Sequence, residues 1–80
     1  VVVGFAAESR DLLQNARGKL DAKKLDLIVA NDIAASDAGF EVDTNRVVLI
    51  FKDGKTEELP LMSKAEVARL VIERIATLLK

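Results

Sequence analysis

The segment ARGKLDAKKLDLIVAND, residues 16–32, joins a lysine-rich helical pattern to an apolar strand that ends on Asn-Asp. Apolar residues in and just before this segment recur at three- and four-residue spacing, which predicts an amphipathic helix. They are Leu12, Leu13, Ala16 and Leu20. Residues 25–31, LDLIVAN, are apolar except for Asp26 and the terminal Asn31, and such a run predicts a buried strand. The segment therefore predicts a helix that passes directly into a strand of the core sheet.

The chain opens on a second apolar run, VVVGFAA, which predicts a strand from Val1 to Ala7. An uninterrupted run of this kind suits a strand that is covered on both faces, as in parallel sheets. Ser9 is predicted to cap the following helix, with Asp11 in its first turn. Strand, helix and strand with short connections form a βαβ unit, in which the crossover is right-handed and the strands are parallel.

A β-hairpin is predicted downstream of residues 32–45, which are predicted to form a long loop. Its first arm is Val47 to Phe51, its turn contains the Asp-Gly pair of residues 53–54, and its second arm is Thr56 to Leu59. Pro60 cannot donate a hydrogen bond to a neighbouring strand and ends the second arm.

The last segment predicts a helix that begins at a capping box formed by Ser63 and Glu66. Its apolar stripe is wide enough to require docking on a sheet. The stripe contains Val67, Leu70, Val71, Ile75 and Leu78, with Ile72 and Leu79 beside it. The predicted fold class is α/β: a Rossmann-like portion of parallel sheet (βαβ), then a β-hairpin and a C-terminal helix. Because two parallel strands do not complete such a sheet, we expect a fragment of a larger three-layer domain.

The amino-acid composition excludes several classes of function. The 80 residues include no Cys and no His, and the net charge is −1. Thiolate chemistry, disulfides and the commonest proton carrier at neutral pH are therefore absent. A nearly neutral chain has no global field to attract nucleic acid or a membrane surface. No apolar run approaches the roughly 20 residues that a membrane span requires. We expect neither partner, and we find no context that predicts a side-chain nucleophile.

Four carboxylates in the long loop are candidate ligands for a metal ion: Asp32, Asp37, Glu41 and Asp43. Carboxylate oxygens and water are the ligands that Mg²⁺ prefers. Loop Asp residues also commonly accept hydrogen bonds from their own backbone, and the spacing alone favours that interpretation. The metal ligands therefore remain unassigned.

Lys19 and Lys23 lie four residues apart, which places them on one helix face with Cβ atoms about 6 Å apart. Two ammonium groups at this spacing suit an anion, and phosphate is the natural one. The alternative is a helix end at which Lys19, Lys23 and Lys24 are favoured by the helix dipole. The spacing alone favours the helix end.

Small residues surround Phe5 in the stretch GFAA, residues 4–7. The stretch is predicted at the carboxyl end of a parallel strand, where open α/β sheets bind ligands. Phe5 either packs against a nucleobase or lies in the core, and the pattern alone favours the core. No G-x-G-x-x-G pattern is present, so a dinucleotide site has no support.

Four stretches, in order, resemble the C-terminal part of phosphopantothenoylcysteine synthetases. They are VVVGFAAES, NARGKLDAKKLDLIVAND, GFEVDTN and ELPLMSKAEVA. The resemblance covers essentially the whole chain. In bacteria this synthetase is usually the second half of a bifunctional decarboxylase/synthetase of coenzyme A biosynthesis. The resemblance implies a cytoplasmic, dimeric ligase that requires Mg²⁺ and joins 4′-phosphopantothenate to cysteine. CTP activates the carboxylate as an acyl-cytidylate, and the cysteine amine then displaces CMP.

The resemblance also implies roles for individual residues. Phe5, Lys19 and Lys23 match the positions at which the family contacts CTP. Asn31 and Asp32, at the end of a strand, are expected to face the same pocket. No catalytic residue is implied, and FMN belongs only to the decarboxylase half, which this sequence lacks.

The family's upstream elements are missing from this sequence: a Gly-rich nucleotide loop, an Asn that handles the acyl intermediate and a second lysine-rich motif. We therefore expect the chain alone to be inactive and to work with the remaining N-terminal part of the synthetase. The expected division is a nucleotide-site βαβ and loop over residues 1–45, a dimerising hairpin over 46–62 and a packing helix over 63–80. We expect the strand after Asn45 to be exposed and, with its hairpin, to form the dimer contact. Two alternatives remain: a non-catalytic dimerisation module, and a Rossmann-like domain that binds another nucleotide.

Overall fold

The computed structural model describes residues 1–33 and 44–79, and this part forms an α/β fold with six strands and two helices. In chain order the elements are β1 (Val3–Glu8), α1 (Leu12–Ala22), β2 (Leu27–Asp32), β3 (Thr44–Asn45), β4 (Val47–Phe51), β5 (Thr56–Glu58), β6 (Met62–Ser63) and α2 (Lys64–Leu78). The predicted α/β class is confirmed, as are the βαβ unit, the hairpin and the C-terminal helix.

The main sheet has four strands in the order β1-β2-β4-β5. β1 and β2 are parallel, from the pair Val3 and Leu27 to the pair Glu8 and Asp32. β4 lies antiparallel beside β2, so the sheet is mixed. The first hairpin arm is therefore an inner strand. The expectation that the strand after Asn45 is exposed is wrong, because it pairs on both sides and residues 47–50 are buried.

The core lies in two layers, one on each face of this sheet. Alternate residues of a strand point to opposite faces. On one face Ile28, Ala30, Val48 and Ile50 pack against Ala16 and Leu20 of α1. On the other face Leu27, Val29, Val47 and Leu49 pack against Val67 and Val71 of α2. The two helices thus cover opposite faces of the sheet, and the inner strands read as continuous apolar runs for that reason.

The first strand differs from its prediction. β1 spans Val3–Glu8 and lies at an edge of the described sheet, where Phe5 is 75% exposed. A strand covered on both faces was therefore the wrong prediction. An apolar run alone does not distinguish a central strand from an edge strand.

The ends of α1 also differ from prediction. The helix begins at Leu12, and Asp11 rather than Ser9 occupies the N-cap position, in a left-handed conformation with φ 49°. It ends at Ala22, and Lys24 lies beyond it at φ 54°. The three lysines therefore divide: Lys19 is inside the helix, Lys23 caps it, and Lys24 begins the turn into β2.

A short second sheet links the segment before the hairpin to the start of α2. Thr44 pairs with Ser63 and Asn45 with Met62 in the antiparallel pair β3–β6. Strands of two residues leave no periodic signal, and they were not predicted. Ser63 confirms its predicted cap, because its Oγ accepts a hydrogen bond from the backbone N–H of Glu66 at 3.2 Å.

A bidentate ion pair ties α2 to the outer hairpin arm. Arg74 donates two hydrogen bonds to the carboxylate of Glu57, at 2.7 and 2.6 Å. These hydrogen bonds hold the pKa of Glu57 below its ordinary value of 4.5. The pair therefore stabilises the fold above that ordinary value, and this contribution disappears as the pH falls through the lowered pKa.

We expect Arg74→Met to lower the free energy of unfolding at pH 7 by about 0.5–1 kcal/mol, because the pair is partly exposed to solvent. Urea denaturation at several pH values measures this difference, which should shrink as the pH falls below 4.5. Arg69→Met, an exposed change on the same helix, is the control. A loss for Arg74→Met that does not depend on pH contradicts the assignment.

Candidate functional site

The ammonium group of Lys19 lies at the carboxyl end of β1, although α1 carries the residue. Its Nζ donates a hydrogen bond to Oε2 of Glu8, the last residue of β1, at 2.6 Å. The Glu8 side chain is 8% exposed and the Lys19 side chain 48%. A lysine ammonium has three N–H donors. The other two meet no protein acceptor within residues 1–33 and 44–79. Lys19 thus presents two donors at the edge of the sheet where α/β folds bind ligands.

Lys23 adds a second positive charge one helical turn away. It lies at the C-cap of α1, about 6 Å along the helix axis from Lys19, and its side chain is exposed. The described part of the chain offers its ammonium no carboxylate partner. Glu8 neutralises one lysine and leaves the other uncompensated, so this helix face retains a local positive charge.

Phe5 and Asn31 lie on the opposite face of the sheet, above α2. They line a groove of about 400 Å³ with Lys64 at its rim. The rest of its lining is apolar and comes from the sheet and α2: Val29, Val47, Val67, Ala68, Val71, Ile72 and Ile75. The Oδ1 atom of Asn31 is buried and accepts no hydrogen bond in the described structure. A buried acceptor without a donor is costly, so this atom suits a bound N–H group.

The five predicted site residues therefore fall on two faces. Phe5 and Asn31 face α2, whereas Lys19 and Asp32 lie on the α1 side with Lys23 at the end of that helix. Asp32 is the register partner of Glu8, and its backbone N–H donates to the carbonyl of residue 46 at 2.8 Å. The sheet separates the two groups, so a ligand that touches both must pass around the outer edge of β1 or around the carboxyl ends of β1 and β2.

The small residues around Phe5 have a different role from the predicted one. Residues 4–7 lie inside β1 rather than at its end. A Cβ added at Gly4 would lie 2.5 Å from Cδ1 of Leu25, which is buried. Gly4 therefore permits close packing inside the protein. Phe5 does not lie in the core, which contradicts the interpretation that its pattern alone favoured.

The four candidate carboxylates give no metal centre in the described part of the chain. Asp37, Glu41 and Asp43 lie outside the described residues. Residues 1–33 and 44–79 contain no cluster of three or more His, Cys, Asp or Glu side chains that could hold an ion. In the same residues no helix is long and apolar enough to span a membrane.

Sequence reasoning missed two residues of these surfaces, Glu8 and Lys64. Glu8 was placed beyond the strand because the apolar run stops at Ala7, yet strand pairing continues through it. Lys64 directly follows the helix cap, and nothing in the sequence predicts that it lines a groove between α2 and the sheet. A charged residue directly after a buried strand was the available hint for Glu8.

These features define a class: a Rossmann-like α/β segment with a cationic helix face beside the carboxyl end of a parallel strand. The chain belongs to the family described as DNA/pantothenate metabolism flavoprotein C-terminal domain, whose model matches residues 1–79. This match confirms the resemblance recognised in the sequence.

Individual relatives support the same family assignment. The coenzyme A biosynthesis bifunctional protein CoaBC of Bacillus subtilis is 55% identical over the whole chain, which spans 20% of that protein. A cysteine/cysteine sulfinic acid decarboxylase from an unknown prokaryote is 42% identical over 98% of the chain and 22% of its own length. The crystal structure of the C-terminal domain of a CoaBC protein superposes with a TM-score of 0.79 and 39% identity, over 96% of this chain and 34% of that one. The chain thus spans about a fifth of the length of the curated relatives.

Proposed function

We propose that the chain is part of a CTP-dependent ligase of coenzyme A biosynthesis that joins 4′-phosphopantothenate to cysteine. The family match and the CoaBC relatives support the pathway. The observation that carries the site is the position of Lys19, whose ammonium is held at the carboxyl end of β1 with Lys23 one turn away. The choice of CTP rests on the sequence resemblance.

In this proposal Lys19 and Lys23 bind the triphosphate. An oxygen of the substrate carboxylate attacks the α-phosphorus, the bond to the bridging oxygen breaks, and pyrophosphate leaves with the electron pair. The cysteine amine then attacks the acyl carbon, CMP leaves, and the amine proton passes to solvent. Negative charge grows on the departing pyrophosphate, and fixed cations stabilise it. No side-chain nucleophile is required, which agrees with the lack of Cys and His.

The nucleotide is proposed to cross the outer edge of β1. Its triphosphate then lies against the lysines of α1, and its base reaches the groove of Phe5 and Asn31 on the other face. The unpartnered Oδ1 of Asn31 is suited to accept a hydrogen bond from an exocyclic amino group. In this proposal Asp32 lies at the edge of the same nucleotide pocket.

The described residues do not form a protein cage for Mg²⁺, since no cluster of three suitable side chains occurs among them. Mg²⁺ is commonly held by phosphates and water with few protein ligands. We propose that it arrives on the triphosphate. FMN has no role in this segment.

The proposed division of labour follows the fold. Residues 1–45 serve the nucleotide, 46–62 dimerise and 63–80 pack on the sheet. β5 is an edge strand of the described sheet and forms the outer arm of the hairpin. We propose that this arm contacts a second copy of the chain. The segment is proposed to be inactive without the N-terminal part of the ligase, which would supply the remaining contacts to substrate.

Product analysis of the full-length protein tests the function. With CTP, 4′-phosphopantothenate and cysteine, we expect CMP, pyrophosphate and phosphopantothenoylcysteine in equal amounts, and omission of cysteine should abolish the last product. ATP should replace CTP poorly. Faster turnover with ATP would support the alternative of another nucleotide, and dimerisation without any turnover would support the non-catalytic module.

A further inference from the structure

We propose that Glu8 is a positioning residue for nucleotide binding: its buried carboxylate fixes the Lys19 ammonium at the site of the triphosphate. This inference rests on the proposed function, and neither the family match nor the named relatives assign a role to Glu8. Among residues 1–33 and 44–79, Glu8 is the only buried charged residue, with 7% of its surface exposed.

Burial and backbone position make Glu8 a fixed point. It closes the parallel pairing of β1 with β2, where Asp32 is its register partner. A carboxylate in such a place is strongly unfavourable unless a cation and hydrogen bonds compensate it. Lys19 supplies that compensation at 2.6 Å. The strand therefore determines where the ammonium lies, because the carboxylate cannot follow the lysine into solvent.

Lys19 needs such a fixed point. Its four-carbon chain is flexible, and the side chain is 48% exposed. Without an anchor the ammonium would sample many positions in solvent, and binding would require ordering it. The glutamate engages one donor and leaves two for phosphate. Because Glu8 is buried and Lys19 is half exposed, the ammonium lies between the carboxylate and an incoming anion.

The arrangement of charges supports a role for Glu8 in positioning Lys19 rather than in the electrostatic attraction of the triphosphate. The Glu8–Lys19 pair is neutral as a unit, and Lys23 is the second positive charge on this face of α1. Lys23 attracts the triphosphate, whereas Lys19 provides directed hydrogen bonds. Loss of the Glu8 charge should therefore weaken CTP binding, although it removes a negative charge close to the bound triphosphate.

The test is a double-mutant cycle in the full-length ligase with Glu8→Gln and Lys19→Met. Glu8→Gln is expected to raise the KM for CTP about tenfold, the scale of one charge-assisted hydrogen bond. The KM for cysteine should stay unchanged, and CMP affinity should fall less than CTP affinity. In the Lys19→Met background, Glu8→Gln should add less than about a twofold further rise. Glu8→Asp should recover most of the affinity, and Asp21→Asn on the same helix should have no effect.

Three results would overturn the inference. The first is a KM for CTP that Glu8→Gln leaves unchanged while Lys19→Met raises it, which leaves the proposed function intact. The second is an equal loss in every kinetic parameter with a lower Tm, which indicates a structural role alone. The third is a KM for CTP that Glu8→Asp and Glu8→Gln raise equally. If the Gln variant folds poorly, the KM of the Asp variant alone decides, because a KM for CTP as high as that expected for Glu8→Gln would contradict the inference. If Lys19→Met itself leaves the KM for CTP unchanged, the proposed triphosphate site at Lys19 is wrong, whereas the product analysis decides the proposed function separately.

Discussion

Exchange of both Lys19 and Lys23 for Met in the full-length ligase is expected to raise the KM for CTP about 100-fold, about tenfold for each charge-assisted contact to phosphate. Both side chains are exposed to solvent, that of Lys19 to 48%, so the lower end of the usual range applies. Met keeps most of the apolar stem, so packing of α1 is retained. Steady-state kinetics with CTP varied, and with the other substrates saturating, measures the effect.

Lys24→Met is the matched control for this pair. It removes the same charge from the next residue, but Lys24 lies beyond the helix at φ 54° and belongs to the turn into β2. Its KM for CTP should remain within about twofold of wild type, the scale of a general charge effect at an exposed site. An equal rise for Lys24→Met would show that only overall charge matters, and the specific site would be wrong.

The second large effect concerns the core of the mixed sheet. Leu49→Ala is expected to lower the free energy of unfolding by about 3 kcal/mol, because it leaves a cavity at a fully buried position. Leu49 is 0% exposed, lies in the inner strand β4 and pairs with Val29 and Glu57. In a domain of ordinary size this loss corresponds to a Tm lower by about 6–12 °C.

Thermal unfolding of the full-length protein measures the change. Leu13→Ala serves as the control, since Leu13 on α1 is 49% exposed. Its Tm should change by no more than about 2 °C, in line with surface substitutions. Equal Tm values for the two variants would mean that β4 is not an inner strand of the full-length protein.

Much of the fold was predictable from the sequence because its signals are local. Apolar runs marked the strands, the Asp-Gly pair marked the hairpin turn, and Ser63 with Glu66 marked the start of α2. The edge position of β1, the insertion of β4 beside β2 and the β3–β6 pair were not predictable. Each depends on which strands meet in space, and periodicity carries no such information.

The site was predictable in part. Spacing alone placed Lys19 and Lys23 on one helix face, but only the resemblance connected them with CTP. The positions of Phe5 and Asn31 on the other face follow from strand register, which the sequence does not specify. Glu8 was missed because a buried charge is recognisable only when its partner is known, and Lys19 is 11 positions away.

A crystal structure of the full-length protein with bound CTP tests the central claim most directly. We expect phosphate oxygens within about 3 Å of Nζ of both Lys19 and Lys23, with the hydrogen bond from Lys19 to Glu8 retained. A triphosphate bound elsewhere, with neither lysine in contact with it, would contradict the account.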